Sequence, residues 1–378
     1  MSKLKIIADD KIPFLNGVLE AFADVIYLPG NLVTRESVMD ADALLIRTRT
    51  KCNQSLLEGT SVKFIATATI GYDHIDTEYC KSREITWVNA PGCNSSSVQQ
   101  YITAALLLLA QEHDFNLSKK TLGIIGVGNV GSKVLAAATL LGMKVKLNDP
   151  PRARKEGDTG FVSLAEILET CDIITLHVPL VRDGEDRTYH LFDTGILGKM
   201  KDGAWLINSS RGEVVETNSL KSALASGKLR GAVIDVWENE PHIDLELLRQ
   251  VTISTPHIAG YSTDGKANGT AMVVHALSQF FDLPLRDFYP ASIPEPSDPA
   301  IVIDGYDKSS QQIIHEAVAQ TYVIMEDHNR LQLSPGSFEQ QRGNYPLRRE
   351  FPAYAVKLLN VGKGETNTLG KFGFRVET

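Results

Sequence analysis

Short apolar runs alternate with longer mixed segments through the first three quarters of the chain. In the N-terminal third, runs at residues 5–8, 43–46 and 64–66 predict buried strands of a parallel sheet, and residues 6–22 predict a first strand–helix unit. A long apolar helix is predicted near residues 94–112. A second parallel sheet is predicted from the run at 121–125 and from runs at 173–177, 204–208, 231–236 and 251–254, and each of the last four ends in polar residues. Because ligands bind beyond the carboxyl ends of parallel strands, these polar ends predict one shared cleft.

The character of the chain changes near residue 287. A proline-rich stretch at 289–299 predicts an ordered linker. Beyond it, apolar residues at 301–303, a helix at 310–325 and a segment at 370–376 predict a small α+β domain. The pattern therefore predicts an α/β protein with more than one domain.

The segment between the strand at 121–125 and the following helix carries the motif G-x-G-x-x-G. Gly126 allows the tight turn, Gly128 lets the backbone approach a pyrophosphate, and Gly131 allows the helix to pack on the strand. Asp149 ends the next predicted strand, where its carboxylate can accept a ribose 2′-hydroxyl and repel a 2′-phosphate, which favours NAD. Arg152 follows closely and leaves NADP open. The predicted contacts of this loop with NAD are Gly126, Gly128, Asn129, Val130, Gly131 and Asp149.

Composition and charge argue against several classes of protein. The 378 residues allow two or three domains, and a net charge of −8 argues against nucleic acid as a main partner. The longest apolar stretch, 104–110, is too short to cross a bilayer, and the N-terminus lacks the apolar run of a signal peptide. The four scattered cysteines predict reduced thiols and a cytoplasmic location. No metal site is predicted.

Arg211, Glu240 and His257 each follow a predicted strand of the second sheet. A guanidinium can hold a carboxylate through two parallel hydrogen bonds, and an imidazole transfers protons near neutral pH. A glutamate bound to that imidazole would orient it. Together the three residues predict a site that oxidises a 2-hydroxy acid, with Arg211 on the carboxylate and C2 oxygen and His257 taking the hydroxyl proton.

The order of four motifs resembles the D-2-hydroxyacid dehydrogenase family. They are the glycine loop, Asn208-Ser-Ser-Arg211-Gly212, Asp235-Val-Trp-Glu-Asn-Glu240-Pro241 and Pro256-His257-Ile-Ala-Gly260. The likeness covers roughly residues 1–285 and implies that Arg211, Glu240 and His257 are the catalytic set. It also implies a Rossmann-type, doubly wound nucleotide domain and a split, flavodoxin-like substrate domain. Further NAD contacts implied by the resemblance are Val178, Ser209, Ser210, Arg211, Asp235 and Gly260. Val178 and the pair Ser209-Ser210 depart from the family pattern, in which the first position is threonine.

A closer likeness is to a branch of this family with an extra C-terminal dimerisation domain. It rests on the stretches at 43–50, 66–74, 90–94, 148–153 and 257–261 and on the tail motif at 338–350. This branch oxidises a phosphorylated four-carbon hydroxy acid in pyridoxal 5′-phosphate biosynthesis. The resemblance implies a homodimer with a substrate domain at 1–93 and 257–286, an NAD-binding domain at 94–256 and a dimerisation domain at 287–378.

The same likeness places substrate contacts at Thr48, Thr69 and Tyr261. The phosphate needs cationic or amide partners, for which Arg47, Arg49 and Arg342 are candidates. For the tail cluster Arg342, Arg348 and Arg349, the sequence favours a solvated basic face against a dimer partner. The alternative is that one of them reaches the partner subunit's active site.

Two other functions stay open at this stage. A dehydrogenase for another 2-hydroxy acid, such as 3-phosphoglycerate, would share the catalytic set, although its usual regulatory domain differs from this tail. An NAD-sensing protein without activity would share the fold, although a degraded catalytic set or a disordered tail would be expected, and the sequence shows neither.

Overall fold

The computed structural model describes residues 3–157 and 159–377 of the chain. Contacts divide it into two compact units, Met1–Asn94 with Ser262–Pro294, and Ser95–Tyr261 with Glu295–Thr378. The chain passes from one unit to the other at 94–95 and returns at 261–262. The sequence predicts a separate domain at 287–378, and contact clustering assigns Glu295–Thr378 to the second unit.

The first unit is built on a five-stranded parallel sheet with the order β2-β1-β3-β4-β5, which is the flavodoxin-like order predicted for it. Every residue of β3 and β4 is buried, because helices cover both faces of a parallel sheet. On one face the long helix α11 packs Val273 and Leu277 into the same apolar cluster as Ile6 and Leu45. The elements are β1 (Leu4–Asp9), β2 (Ala23–Leu28), α1 (Arg35–Val38), β3 (Ala43–Ile46), α2 (Gln54–Leu57), β4 (Phe64–Thr67), α3 (Thr77–Ser82), β5 (Thr86–Val88) and α11 (Thr263–Phe281).

The predicted strand–helix unit at residues 6–22 is wrong in its second half. Residues 10–22 form a series of turns between β1 and β2. Phe14 and Gly17 both have positive φ angles, of 61° and 82°, which a helix does not allow. Pro13 also lacks the backbone N–H that a helix interior needs.

The second unit contains a six-stranded parallel sheet with the order β11-β10-β9-β8-β6-β7. Its chain order reverses beside β6, so the glycine loop after β6 lies at the switch point where nucleotides bind in such sheets. The predicted strands at 121–125 and 204–208 match the structure residue for residue. The elements are α4 (Ser95–Glu112), β6 (Thr121–Ile125), α5 (Asn129–Leu140), β7 (Lys144–Asn148), α6 (Pro150–Glu156), α7 (Leu164–Thr170), β8 (Ile173–Leu176), α8 (Thr194–Lys199), β9 (Ala204–Asn208), α9 (Thr217–Ala225), β10 (Leu229–Ile234), α10 (Leu245–Gln250) and β11 (Ile253–Ser254).

The C-terminal region adds a three-stranded parallel sheet, β12-β13-β14, with four helices. The helix predicted at 310–325 is wrong in its extent, because the structure has two helices there, Ser310–Ala319 and Ile324–Leu333. Between them the Thr321 hydroxyl donates to the Val318 carbonyl and accepts from the Gln100 amide. The elements are β12 (Ala300–Asp304), α12 (Ser310–Ala319), α13 (Ile324–Leu333), α14 (Phe338–Gly343), β13 (Ala355–Leu359), α15 (Lys363–Phe372) and β14 (Arg375–Glu377).

Buried hydrogen bonds fasten this C-terminal region to the nucleotide-binding sheet and to α4. Ser97 donates to the Glu350 carboxylate over 2.9 Å, and the Gln100 amide donates to the Arg349 carbonyl over 3.0 Å. His328 accepts from the backbone N–H of Ser254 in β11. Together with the apolar cluster that spans α4, α5 and α12, these bonds explain why the region shares one unit with residues 95–261.

In the described part of the chain, no helix combines the length and apolarity needed to cross a membrane.

Gly212, just beyond β9, allows a close approach of two backbones. A Cβ built on it would lie 2.0 Å from the carbonyl carbon and oxygen of Trp237, beyond the neighbouring strand β10. No side-chain rotation can relieve a clash with backbone atoms. The glycine therefore sets the spacing of the two loops that carry Arg211 and Glu240.

We expect Gly212→Ala to lower the free energy of unfolding by about 1–3 kcal/mol, because the added methyl group forces the two loops apart. Gly198→Ala is the matched control, since Gly198 lies in α8 with no atom within 4 Å of the added Cβ. Thermal unfolding of both variants beside the parent chain measures the effect. Equal midpoints for the two variants would contradict the role given to Gly212.

Candidate active site

The glycine loop between β6 and α5 has the geometry of a phosphate cradle. Gly126 has a φ of 85°, and a Cβ there would lie 2.4 Å from the His177 carbonyl oxygen. A Cβ on Gly131 would lie 2.1 Å from the Gly126 carbonyl oxygen, whereas Gly128 has open space around it. Gly128 caps α5 without a side-chain hydrogen bond, so the first amides of the helix face outward without a capping side chain. Asn129 and Val130 are the first two residues of that helix.

Asp149 stands beside this loop, as predicted, and also has a structural role. Its carboxylate accepts the Val127 N–H over 2.8 Å and the Arg152 N–H over 3.1 Å, which caps α6. Arg152 donates to the Val127 carbonyl and pairs with Glu156. Because each carboxylate oxygen can accept two hydrogen bonds, Asp149 keeps capacity for a ribose hydroxyl.

The other predicted NAD contacts lie at the carboxyl ends of the adjacent strands. Val178 follows β8, and its side chain would lie 2.9 Å from a Cβ on Gly126. Ser210 donates its N–H and hydroxyl to Asn208 at the end of β9. The Ser209 hydroxyl is buried without a hydrogen-bond partner among the described residues, which is the state expected of a group that binds a ligand.

Glu240 and His257 are brought together, although 17 residues separate them. The Glu240 carboxylate lies 2.7 Å from Nδ1 of His257, and its other oxygen accepts the Trp237 N–H over 2.9 Å. Since an ionised carboxylate only accepts hydrogen bonds, Nδ1 carries the proton, and Nε2 of a neutral imidazole is left to accept one. His257 has a φ of 57°, an uncommon conformation for a residue with a side chain and one that occurs at functional sites.

Arg211 lies on the adjoining loop. Its backbone carbonyl accepts from Asn208, and its guanidinium donates to the Ser210 carbonyl over 2.8 Å. The close packing of Gly212 on Trp237 places this loop against the segment that carries Glu240. The structure thus gathers the elements that bear the three predicted catalytic residues at one end of one sheet.

The pKa values of the Glu240 and Asp235 carboxyl groups are shifted in opposite directions. Burial alone would raise the pKa of Glu240, but the charge and hydrogen bond of His257, the Trp237 N–H and the charge of Arg342 outweigh it and lower that pKa. For Asp235 burial prevails and raises the pKa, although His257, Thr255 and two backbone amides act against it. Glu240 is therefore ionised at neutral pH, as its hydrogen bond to His257 requires.

Asp235, which the resemblance implies as an NAD contact, also has a structural role through its carboxyl group. It accepts the N–H of Ile258 over 2.7 Å, the N–H of Ala259 over 3.0 Å and the Thr255 hydroxyl over 2.6 Å. Its backbone carbonyl accepts the His257 N–H. Asp235 thus anchors the loop at 257–261, which also contains Gly260. Nothing in the sequence pattern distinguishes this role from that of a surface acid at a strand end.

In the first unit, the candidate substrate residues follow β3 and β4, which are neighbours in the sheet. Arg47 donates to the Lys11 carbonyl over 2.9 Å, and Thr48 and Arg49 are exposed. The Thr69 hydroxyl lies 2.7 Å from that of Thr67 and donates to the Gly71 carbonyl. These residues lie at the same end of the sheet, because β3 and β4 are parallel and their carboxyl ends are adjacent.

The expectation of a solvated basic face in the tail is wrong. Arg348 is 4% exposed and Arg349 8%, and both are enclosed by this chain alone. Arg342 pairs with Glu339 over 3.0 Å and lies 5.8 Å from the centre of the Tyr261 ring. The reason is the fold of the C-terminal region, which packs the segment after α14 onto the loop at 257–261. The sequence carries no local signal of this burial, because the pattern of apolar and polar residues treats every arginine as a polar position.

Comparison with known proteins agrees with this geometry. The model of the D-isomer specific 2-hydroxyacid dehydrogenase family, NAD binding domain, matches residues 105–259. A relative from Bacteroides fragilis named erythronate-4-phosphate dehydrogenase is 54% identical over 93% of this chain and 99% of its own length. One of the same name from Porphyromonas gingivalis is 41% identical over 93% of this chain and 95% of its own length.

Solved structures share the fold over a smaller part of the chain. D-lactate dehydrogenase from Aquifex aeolicus, complexed with NAD and lactic acid, has a TM-score of 0.61 at 26% identity and covers 74% of this chain and 95% of its own. D-mandelate dehydrogenase from Rhodotorula graminis has a TM-score of 0.65 at 22% identity and covers 79% of this chain and all of its own. About a quarter of this chain thus has no equivalent in these two enzymes.

The glycine cradle, the nucleotide-binding sheet and the paired Glu240 and His257 are accordingly the parts of an NAD-dependent oxidoreductase. The chain belongs to the erythronate-4-phosphate dehydrogenases, within the family of D-isomer specific 2-hydroxyacid dehydrogenases.

Proposed function

We propose that this protein oxidises 4-phospho-D-erythronate to (R)-3-hydroxy-2-oxo-4-phosphooxybutanoate with NAD, as a step in pyridoxal 5′-phosphate biosynthesis. The observation that carries the proposal is the contact between Glu240 and His257 at the same sheet end as the glycine cradle. The name of its relatives, at 54% and 41% identity over nearly the whole chain, supports the substrate.

The residues around the glycine loop fit NAD. The outward amides of α5 and the open face of Gly128 suit a pyrophosphate, and Asp149 suits the ribose next to it. The buried Ser209 hydroxyl supplies a further polar contact. When bound, NAD supplies the ring that accepts the hydride from C2 of the substrate.

His257 is the general base of the proposed reaction. Its Nε2 takes the proton of the C2 hydroxyl while Nδ1 stays bound to Glu240. The carboxylate of Glu240 fixes the ring orientation and stabilises the imidazolium that forms. Arg211 holds the substrate carboxylate and polarises the C2 oxygen through its guanidinium.

The remaining substrate contacts are proposed for each unit by itself. In the first unit they are Thr48 and Thr69, with Arg47 and Arg49 as candidate partners of the phosphate. In the second unit they are Tyr261 and Arg342, whose guanidinium has a buried Nε without a partner among the described residues.

The homodimer through residues 287–378 and the cytoplasmic location belong to the same proposal. The four free, buried cysteines are consistent with a reducing compartment.

The substrate assignment is tested by measuring NADH formation with a panel of 2-hydroxy acids. We expect kcat/KM for 4-phosphoerythronate to exceed that for unphosphorylated erythronate, 3-phosphoglycerate and D-lactate by about 100-fold or more. Erythronate and D-lactate lack the phosphate and its ion pairs, and 3-phosphoglycerate is one carbon shorter, so its phosphate cannot occupy the same position. A higher kcat/KM for 3-phosphoglycerate would replace the proposed substrate. No turnover of any member would favour a non-catalytic NAD-binding protein.

His257→Asn should lower kcat by about 10²–10⁴-fold, because the general base is lost, while the affinity for NADH stays the same. His242→Asn is the matched control, because His242 lies exposed on the loop that follows Glu240. Steady-state kinetics and NADH fluorescence titration measure the two quantities. A kcat for His257→Asn close to that of the control would remove His257 as the base.

Arg342→Ala should raise KM for the phosphorylated substrate by about 10-fold or more, since a charge-assisted hydrogen bond contributes about 1.5–3 kcal/mol. KM for unphosphorylated erythronate should change little. Arg375→Ala, an exposed arginine of β14, is the control. An equal rise in KM for both substrates would show that Arg342 does not hold the phosphate.

A further inference from the structure

The loop at 257–261 is held from two sides by buried polar side chains, a carboxyl group and a guanidinium. On one side the Asp235 carboxylate takes the N–H groups of Ile258 and Ala259. On the other side a guanidinium Nη2 of Arg348 donates to the Ala259 carbonyl. Asp235 is 1% exposed and Arg348 4%. The backbone two residues beyond His257 is therefore hydrogen-bonded to a buried carboxyl group on one side and to a buried guanidinium on the other.

Arg348 is itself held in place by aromatic rings and a buried acid. Its guanidinium lies 4.5 Å from the centre of the Tyr322 ring and 5.7 Å from that of Tyr345. The hydroxyls of both tyrosines donate to Asp327, over 2.9 Å and 2.6 Å. Cation–π contacts of this kind are stronger when water is excluded. Side-chain freedom at Arg348 is thus small, which suits a residue that sets the position of another.

The arrangement would be costly if its only purpose were to fill space. Burying a cation loses hydration, and Nε and Nη1 of Arg348 have no hydrogen-bond partner among the described residues. An apolar side chain of similar volume would fill the same space without that loss. What an apolar side chain cannot do is bind the Ala259 carbonyl.

We propose that Arg348 is a positioning residue for the dehydrogenase reaction. By binding the Ala259 carbonyl it fixes the backbone that presents His257, so the C-terminal region serves catalysis within its own chain. This inference rests on the proposed role of His257. The two solved enzymes compared above leave about a quarter of this chain unmatched, whereas the erythronate-4-phosphate dehydrogenases match 93% of it.

The first test compares Arg348→Met with Arg349→Met. Arg349 is the neighbouring buried arginine, whose guanidinium lies 3.8 Å from Glu295. We expect Arg348→Met to lower kcat by about 10- to 100-fold with KM for NAD within 2-fold, because a small displacement of the base slows proton transfer. Arg349→Met should retain kcat. The primary isotope effect with C2-deuterated substrate should rise only in Arg348→Met, as chemistry becomes rate-limiting.

The second test needs no substrate and covers the case in which Arg348→Met folds poorly. Arg348→Lys keeps a cation near the carbonyl, and we expect it to recover part of the lost kcat. Hydrogen–deuterium exchange of the peptide at 255–263 should accelerate in Arg348→Met relative to Arg349→Met. Unchanged kcat per folded molecule, or equal exchange in the two methionine variants, would overturn the proposal.

The two proposals fail in distinguishable ways. An error in the substrate assignment would appear in the unaltered protein, as poor turnover of 4-phosphoerythronate beside another acid of the panel. The Arg348 proposal is judged by the ratio of variant to parent on whichever acid is turned over best, and by exchange of the loop. If the parent chain is active and the Arg348→Met variant has the same kcat as the parent, only the role of Arg348 is contradicted.

Discussion

The buried carboxylate of Asp235 is the constraint on which the site depends. Two backbone amides and the Thr255 hydroxyl satisfy it, and Thr255 in turn accepts from the hydroxyl of Tyr101 in α4. A hydrogen bond contributes about 0.5–1.5 kcal/mol, and a buried carboxyl group left without partners would be unfavourable. The hydrogen bonds of Asp235 therefore restrain the segment at 257–261, in which His257 has a positive φ.

Close backbone contacts at glycines determine how the strand ends meet. Gly131 lets α5 pack against the turn at Gly126, and Gly212 lets the Arg211 loop meet Trp237. In both places a single added methyl group would force these backbone segments apart. The glycines thus set the spacing of the backbone segments, and this spacing determines where the polar side chains lie.

The C-terminal region is an integral part of the second unit. Its contacts with α4, with β11 and with the loop at 257–261 make it part of the unit that binds NAD. Arg342 contributes charge next to Glu240, and Arg348 binds the loop behind His257. The electrostatics of the paired Glu240 and His257 therefore depend in part on residues that lie far beyond them in the chain.

The sequence alone determined the parts of this protein that depend on local rules. Apolar runs located three of the five strands of the first sheet and the strands of the second sheet. The glycine spacing predicted the nucleotide site, and the positions after strands predicted Arg211, Glu240 and His257, because these signals lie within a few residues. Tertiary structure decided the rest. The anchoring role of Asp235, the burial of Arg348 and the contact of Thr321 with Gln100 arise from pairs of residues up to 221 positions apart, which no local periodicity encodes.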